Sequence, residues 1–118
     1  MTELVACLTT GKGTWIDVIR LIKAEKWDKV FLITNQFGKE NFKPPQNTEL
    51  IVIDDRKSAD ELVKDIMDAL QDKLMGPEVA LNLSSGTGKE HMALLSSILK
   101  LGNGIRLVHM LNEKVEEV

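Results

Sequence analysis

Cysteine is nearly absent: Cys7 is the only one among 118 residues, so no disulfide can form within the chain. That usage fits a reducing compartment, and a cytoplasmic location is the expectation. Cys7 sits in an apolar run and reads as core filler. Proline is scarce, with three residues, and glycine is ordinary, with eight. With 43% hydrophobic and 28% charged residues, the chain is neither collagen-like nor disordered. No apolar stretch approaches the ~20 residues that span a bilayer, so no membrane partner is expected. Met1-Thr2-Glu3 lacks a basic region ahead of the short apolar run, so a signal peptide is not expected either. Excess positive charge is missing too: 15 basic against 18 acidic residues leave a net charge of -3. A whole-surface basic field is lacking, which disfavours duplex DNA and leaves room only for a local basic patch.

What is present is a series of short buried strands alternating with amphipathic helices. Leu4 to Leu8 is a continuous apolar run that ends in Thr9-Thr10-Gly11-Lys12-Gly13-Thr14. Such a run reads as a strand buried on both faces of a parallel sheet. Trp15, Ile16, Val18, Ile19 and Ile22 then recur at helical spacing, with Thr14 as the N-cap. Lys29 to Thr34 is a second strand, and Leu50 to Ile53 a third. Between them, Asn35 to Asn47 is polar and carries Gly38 and Pro44-Pro45, which leaves room for only a short helical turn. Ser58 and Glu61 have the spacing of a capping box, ahead of a helix whose apolar face is Leu62, Val63, Ile66, Met67, Leu70 and Leu74. Val79 to Leu83 is a fourth strand. A third helix follows, expected to bury Met92, Leu95, Ile98 and Leu99, with Leu94 a further candidate. Ile105 to Leu111 is a fifth strand, and Asn112 to Val118 reads as a frayed acidic tail. The alternation predicts one domain over residues 1–118. Its fold class is α/β, a three-layer Rossmann-like fold with a five-stranded, mainly parallel sheet. Val5, Leu32, Val52, Ala80 and Leu107 are placed in the sheet interior.

In open α/β sheets ligands sit at the carboxyl ends of the strands, near the point where strand order reverses. The residues there are therefore the candidates. Thr9, Thr10, Gly11, Lys12, Gly13 and Thr14 follow the first strand, and Thr34 and Asn35 close the second. Ser84, Ser85, Gly86, Thr87, Gly88 and Lys89 follow the fourth. Two loops rich in Gly, Ser and Thr, each with a lysine, open helices. Backbone N–H groups at a helix start favour anions, so the expected ligand carries phosphate. Taken singly, glycines of this kind serve turns and lysines of this kind are solvated; two such loops at one edge carry more weight. Asp54-Asp55 reads as a capping pair rather than a metal site. His91 and His109 lie in different elements with no third ligand, so no metal is expected. Trp15 and Trp27 read as packing residues. A P-loop would need glycine at Leu83 and Ser or Thr at Glu90, and a dinucleotide fingerprint starting at Gly11 would need glycine at Ile16. Both fail, which disfavours ordinary ATP hydrolysis and NAD chemistry. No cofactor is expected.

The run Asn82-Leu83-Ser84-Ser85-Gly86-Thr87-Gly88-Lys89-Glu90-His91-Met92 resembles the signature of the CRISPR-associated Rossmann fold (CARF) domains. In that family a strand ends in a Gly-Gly-Thr-Lys-like turn that opens a helix, with a methionine soon after. This chain has Gly-Thr-Gly-Lys at that place. Leu8 to Trp15 resembles the family's other ligand loop, and the strand–helix order fits nearly the whole chain. The resemblance implies a homodimer that binds cyclic oligoadenylate, the messenger of type III CRISPR defence, across its twofold axis. Family members are commonly fused to an effector, and none is expected in this chain, which reads as a stand-alone member. Stand-alone members include metal-independent ring nucleases, in which a ribose 2′-hydroxyl attacks the neighbouring phosphate. On that reading Lys89 and the amides of Gly86 to Gly88 stabilise phosphate charge, while Thr10, Lys12 and Ser85 position ribose and phosphate. Lys89, Ser85 and Lys12 are then the catalytic candidates. Binding of cyclic oligoadenylate, or of another phosphate-bearing nucleotide, is the first expectation, since no acid/base residue is evident. Cleavage is the second, and an interaction module without a nucleotide the third.

Overall fold

Why the apolar runs become strands is plain in the first of them. All six residues of β1, Glu3–Leu8, are buried, so the strand needs cover on both faces. The computed structural model describes residues 2–9 and 12–118, the Lys12 side chain excepted, and supplies that cover. A 3-10 turn over Lys12–Thr14 leads into α1, Trp15–Ala24. Then come β2, Val30–Thr34; α2, Gln36–Asn41; β3, Thr48–Val52; and α3, Ala59–Leu70. The chain continues through β4, Glu78–Asn82, and α4, Gly88–Lys100, and closes with β5, Gly104–Leu111, and β6, Lys114–Glu117. The strands lie in the order β3-β2-β1-β4-β5-β6. The first five are parallel, and β6 returns antiparallel along β5.

The two faces of the sheet carry separate cores. Val5, Cys7, Phe31, Ile33, Ile51, Val79 and Leu81 face α3 and α4, which contribute Leu62, Ile66, Leu70, Ala93, Leu94 and Ile98. Leu4, Ala6, Leu8, Leu32 and Ala80 face the other way, against Trp15, Val18, Leu21 and Ile22 of α1 and against Phe42. Leu62, Ile66 and Leu70 recur every four residues and are fully buried, each contributing about 1.5–3 kcal/mol of transfer free energy. Ser58 and Glu61 form the capping box that starts this helix. Trp15 packs its ring against Phe37 and Phe42, with centroids 5.9 and 5.8 Å away, and Trp27 Nε1 donates to the Leu21 carbonyl. Both tryptophans act in packing.

Several expectations are corrected. The sheet has six strands and is mixed, because the tail expected to fray forms β6 instead. Asn112 and Glu113 both take positive φ, 52° and 65°, the conformation of a tight two-residue hairpin turn. Within the connection from Asn35 to Asn47, residues 36–41 form α2, capped by the Asn35 side chain accepting from Gly38 N. Val52 and Leu107 are exposed on the sheet rather than interior. Met92 and Leu99 of α4 are exposed as well, since the helix buries the opposite stripe: Glu90, Ala93, Leu94, Ser97 and Ile98. No helix among the described residues is long and apolar enough to cross a membrane.

Candidate functional site at the strand-order switch

From β1 the chain steps outward to β2 and β3, then crosses back to place β4 on the other side of β1. The carboxyl ends of β1 and β4 flank that reversal, the place where ligands enter open α/β sheets. The loops after these two strands are the Gly/Ser/Thr-rich ones. Thr10, Gly11 and the Lys12 side chain lie outside the described residues, so the first loop is represented by Thr9 and by Gly13 and Thr14 at the start of α1.

The β4 loop is shaped by its own side chains. Asn82 Nδ2 donates to the Val108 carbonyl, which fastens the end of β4 to β5, and Asn82 Oδ1 accepts from Ser84 N. Ser85 is fully buried, and its carbonyl lies 2.7 Å from His91 Nε2. Gly86 has φ of +109°, which only glycine adopts readily. Thr87 caps α4: its Oγ1 accepts from Glu90 N, while Glu90 Oε1 accepts from Thr87 N at 2.9 Å. By helix geometry the first-turn amides of Gly88 and Lys89 point out of the helix start.

Glu90 also accepts from Thr9 Oγ1, at 2.5 Å. One buried carboxylate thus clasps the β1 loop to the β4 loop. The sequence named Thr9 and Thr87 but not Glu90. The signal was available, because Thr87 and Glu90 have the same capping-box spacing as Ser58 and Glu61. Beneath the clasp, burial pushes the Cys7 thiol up to about 12, with the negative Glu90 adding to the shift. Cys7 is therefore inert packing. At about pH 8, thiol reagent should label it only as fast as the molecule opens. The native thiol ionises well above the ordinary 9.0, so its contribution to stability is full below that value and is lost as pH rises toward 12. Immediate full labelling of the native protein would contradict this placement.

The neighbouring strand ends are tied in. Thr34 is fully buried and its hydroxyl donates to the Leu8 carbonyl at 2.6 Å. Asn35 Nδ2 donates to the Thr9 carbonyl and to Asp55 Oδ2. Both residues therefore shape the β1 and β2 ends from behind. Lys89 was expected to face solvent. Its ammonium instead donates to the carbonyls of Asp55 and Lys57, at 2.8 and 2.7 Å, and pins the β3–α3 loop to the start of α4. An ammonium has three N–H donors, so these two bonds leave one for an anion. In the same loop, Arg56 donates from its side chain and its backbone to Asp54, which lowers that carboxyl to about 2. Asp54 thus organises the turn.

A cleft of about 400 Å³ opens beside these loops, lined by Asn35, Val52, Asp54, Asp55 and Arg56. A larger cleft, about 610 Å³, lies at the opposite, amino ends of the strands, around Glu3, Phe31 and Met75. There the Glu3 carboxylate already accepts from Met75 N and Gly76 N, and among the described residues no helix begins at that end to offer its amides. The chemistry suited to an anion is at the switch point, and volume alone does not outweigh it. No family model matches the chain, and no curated protein matches it either.

Proposed function

We propose that this chain is a CARF-like sensor that binds cyclic oligoadenylate at the switch point, across a homodimer, in cytoplasmic type III CRISPR defence. One observation carries the reading: the hydrogen bonds from Thr9 and Thr87 to Glu90 hold the two Gly/Ser/Thr-rich loops together where strand order reverses. The start of α4 brings its first-turn amides and Lys89 to the same edge of the sheet, which suits the phosphates of a cyclic nucleotide. Binding is favoured over cleavage because Ser85 is fully buried and the Lys89 ammonium is already held by two carbonyls.

The test is incubation of the purified protein with cyclic tetra-adenylate and cyclic hexa-adenylate, following binding by calorimetry and ring integrity by chromatography. Saturable binding with the ring intact is expected. A linear product would move the assignment to a metal-independent ring nuclease. Absence of binding to either ring would leave an interaction module without a nucleotide.

Lys89→Ala should weaken that binding. Removing a charge-assisted hydrogen bond costs ~1.5–3 kcal/mol, or roughly ten- to a hundredfold in affinity. Added salt should weaken wild-type binding and narrow the gap to the variant. Lys64→Ala, exposed on α3, is the control and should change nothing. Equal affinities for wild type and Lys89→Ala would remove Lys89 from the site.

A further inference from the structure

The cleft at the amino ends of the strands has a chemistry of its own. The register sets Glu3, Phe31 and Glu49 on one face of the sheet: Phe31 pairs with Glu49 and with Val5, and Glu3 lies two residues before Val5. The connection from α3 to β4 supplies Lys73, Met75, Gly76 and Pro77 to the same cleft. Its volume of about 610 Å³ falls within the ~300–1,000 Å³ that small-molecule sites occupy. Phe31, Met75 and Pro77 make the apolar part of the lining. Glu3 is only 6% exposed, and its carboxylate accepts from Met75 N at 2.9 and 3.0 Å and from Gly76 N at 3.1 Å. Both donors are neutral, and among the described residues Glu3 joins no ion pair. A buried carboxylate ordinarily has a cationic partner, because leaving water costs a charge more than two amides return. A carboxylate also has about four acceptor sites, so two N–H groups leave capacity on Oε2.

The neighbouring cations do not supply that partner. Lys73 is held by Glu49, and Arg106 by Glu78. Lys29 lines the cleft without forming an ion pair among the described residues, and Asp28 beside it is a further carboxylate. Counting Lys29 against Asp28 leaves the charge of Glu3 over. No three carboxylate, imidazole or thiol groups among the described residues are placed to hold a metal ion, which leaves an organic cation. We infer that the amino-end cleft binds a small organic monocation, a protonated amine or amidine on an aromatic or branched apolar body. The cationic group donates to Glu3 Oε2, and the body lies against Phe31, Met75 and Pro77. Anions are repelled from this lining, so the two ends of the sheet take ligands of opposite sign. The inference goes beyond the nucleotide reading and does not rest on it.

Amide NMR titration of the wild-type protein, without nucleotide, is the test. The probes are benzamidine, which is rigid, and phenethylammonium, which is flexible. At least one should bind saturably with a dissociation constant at or below about 1 mM. The shifts should fall on Met75 and Gly76, whose N–H groups bond to Glu3, and leave Thr9 and Ser84 to Lys89 unmoved. Benzoate, the benzamidine ring with the opposite charge, should not bind. Glu3→Gln keeps the shape and an acceptor for the two amides but removes the charge, so probe affinity should fall at least tenfold. Should Glu3→Gln fail to fold, the wild type still decides: nuclear Overhauser contacts should run from the probe's ring protons to the Met75 methyl and the Phe31 ring. Absence of saturable shifts with both probes overturns the inference. So does benzoate binding as tightly as the cations, an unchanged affinity in folded Glu3→Gln, or Overhauser contacts confined to other parts of the molecule. Any of these would leave the switch-point reading standing, since no nucleotide enters the experiment.

Discussion

Gly38→Ala should destabilise the protein by about 2–4 kcal/mol, although alanine is the better helix former. Gly38 lies inside α2 and is buried against the end of β2. A Cβ added there would sit 1.8 Å from Thr34 Oγ1 and 3.0 Å from the Leu8 carbonyl. Thr34 cannot step aside cheaply, because its hydroxyl is fully buried and donates to that same carbonyl. Rotating it would leave a buried acceptor unpaired, and moving α2 would pull on the Asn35 cap. The gain in helix propensity, under about 1 kcal/mol, is far smaller than either. Thermal unfolding should drop by on the order of 10 °C, and urea denaturation should show a lower midpoint. Removing the obstacle should restore part of the loss, so Gly38→Ala combined with Thr34→Ala should cost less than the sum of the single changes. Stability within about 0.5 kcal/mol of wild type, or strict additivity, would contradict the close approach.

Gly86→Ala should cost a similar amount and reach the ligand as well. Its φ of +109° lies beyond the left-handed region that non-glycine residues visit, a conformational cost of about 1–3 kcal/mol. The new methyl would also lie 2.9 Å from His91 Nε2 and 3.0 Å from Cys7 Cβ. His91 can swing away only by leaving the Ser85 carbonyl, and Cys7 is fixed in the middle of β1. Adding His91→Ala should therefore relieve part of the strain but not the backbone cost. The β4 loop would have to reshape ahead of Thr87, so affinity for cyclic oligoadenylate should fall at least tenfold in molecules that remain folded. Urea denaturation and calorimetric titration of one preparation separate the two effects. Wild-type stability in Gly86→Ala would show that the loop tolerates a side chain, contrary to this geometry.

The layers of the fold were legible because burial on both faces leaves a direct mark: Leu4 to Leu8 and Val30 to Ile33 are apolar without alternation. The capping box at Ser58 was equally local. What was not legible depends on neighbours far away in sequence. Met92 and Leu99 look like core residues in a periodicity count, yet α4 carries apolar residues on two stripes, and only tertiary packing chooses which one faces the sheet. Leu107 lies on the last parallel strand, past the reach of α4. The tail became β6 through a turn at Asn112-Glu113, where an unusual positive φ at Glu113 replaces the usual glycine signal. At the candidate site the residue types were visible but their partners were not. Thr34 looked like a ligand residue and turns inward to Leu8, and Lys89 looked solvent-facing and reaches across to Asp55 and Lys57. Glu90 reaches Thr9, 81 positions away, a contact that no local pattern announces.

The switch-point assignment is tested most directly by amide NMR of the wild-type protein during titration with cyclic tetra-adenylate and cyclic hexa-adenylate. The account predicts saturable shifts concentrated at Thr9 and at Ser84 to Lys89, with Met75 and Gly76 at the amino-end cleft unmoved. Shifts confined to Met75 and Gly76, or none with either ring, would contradict it.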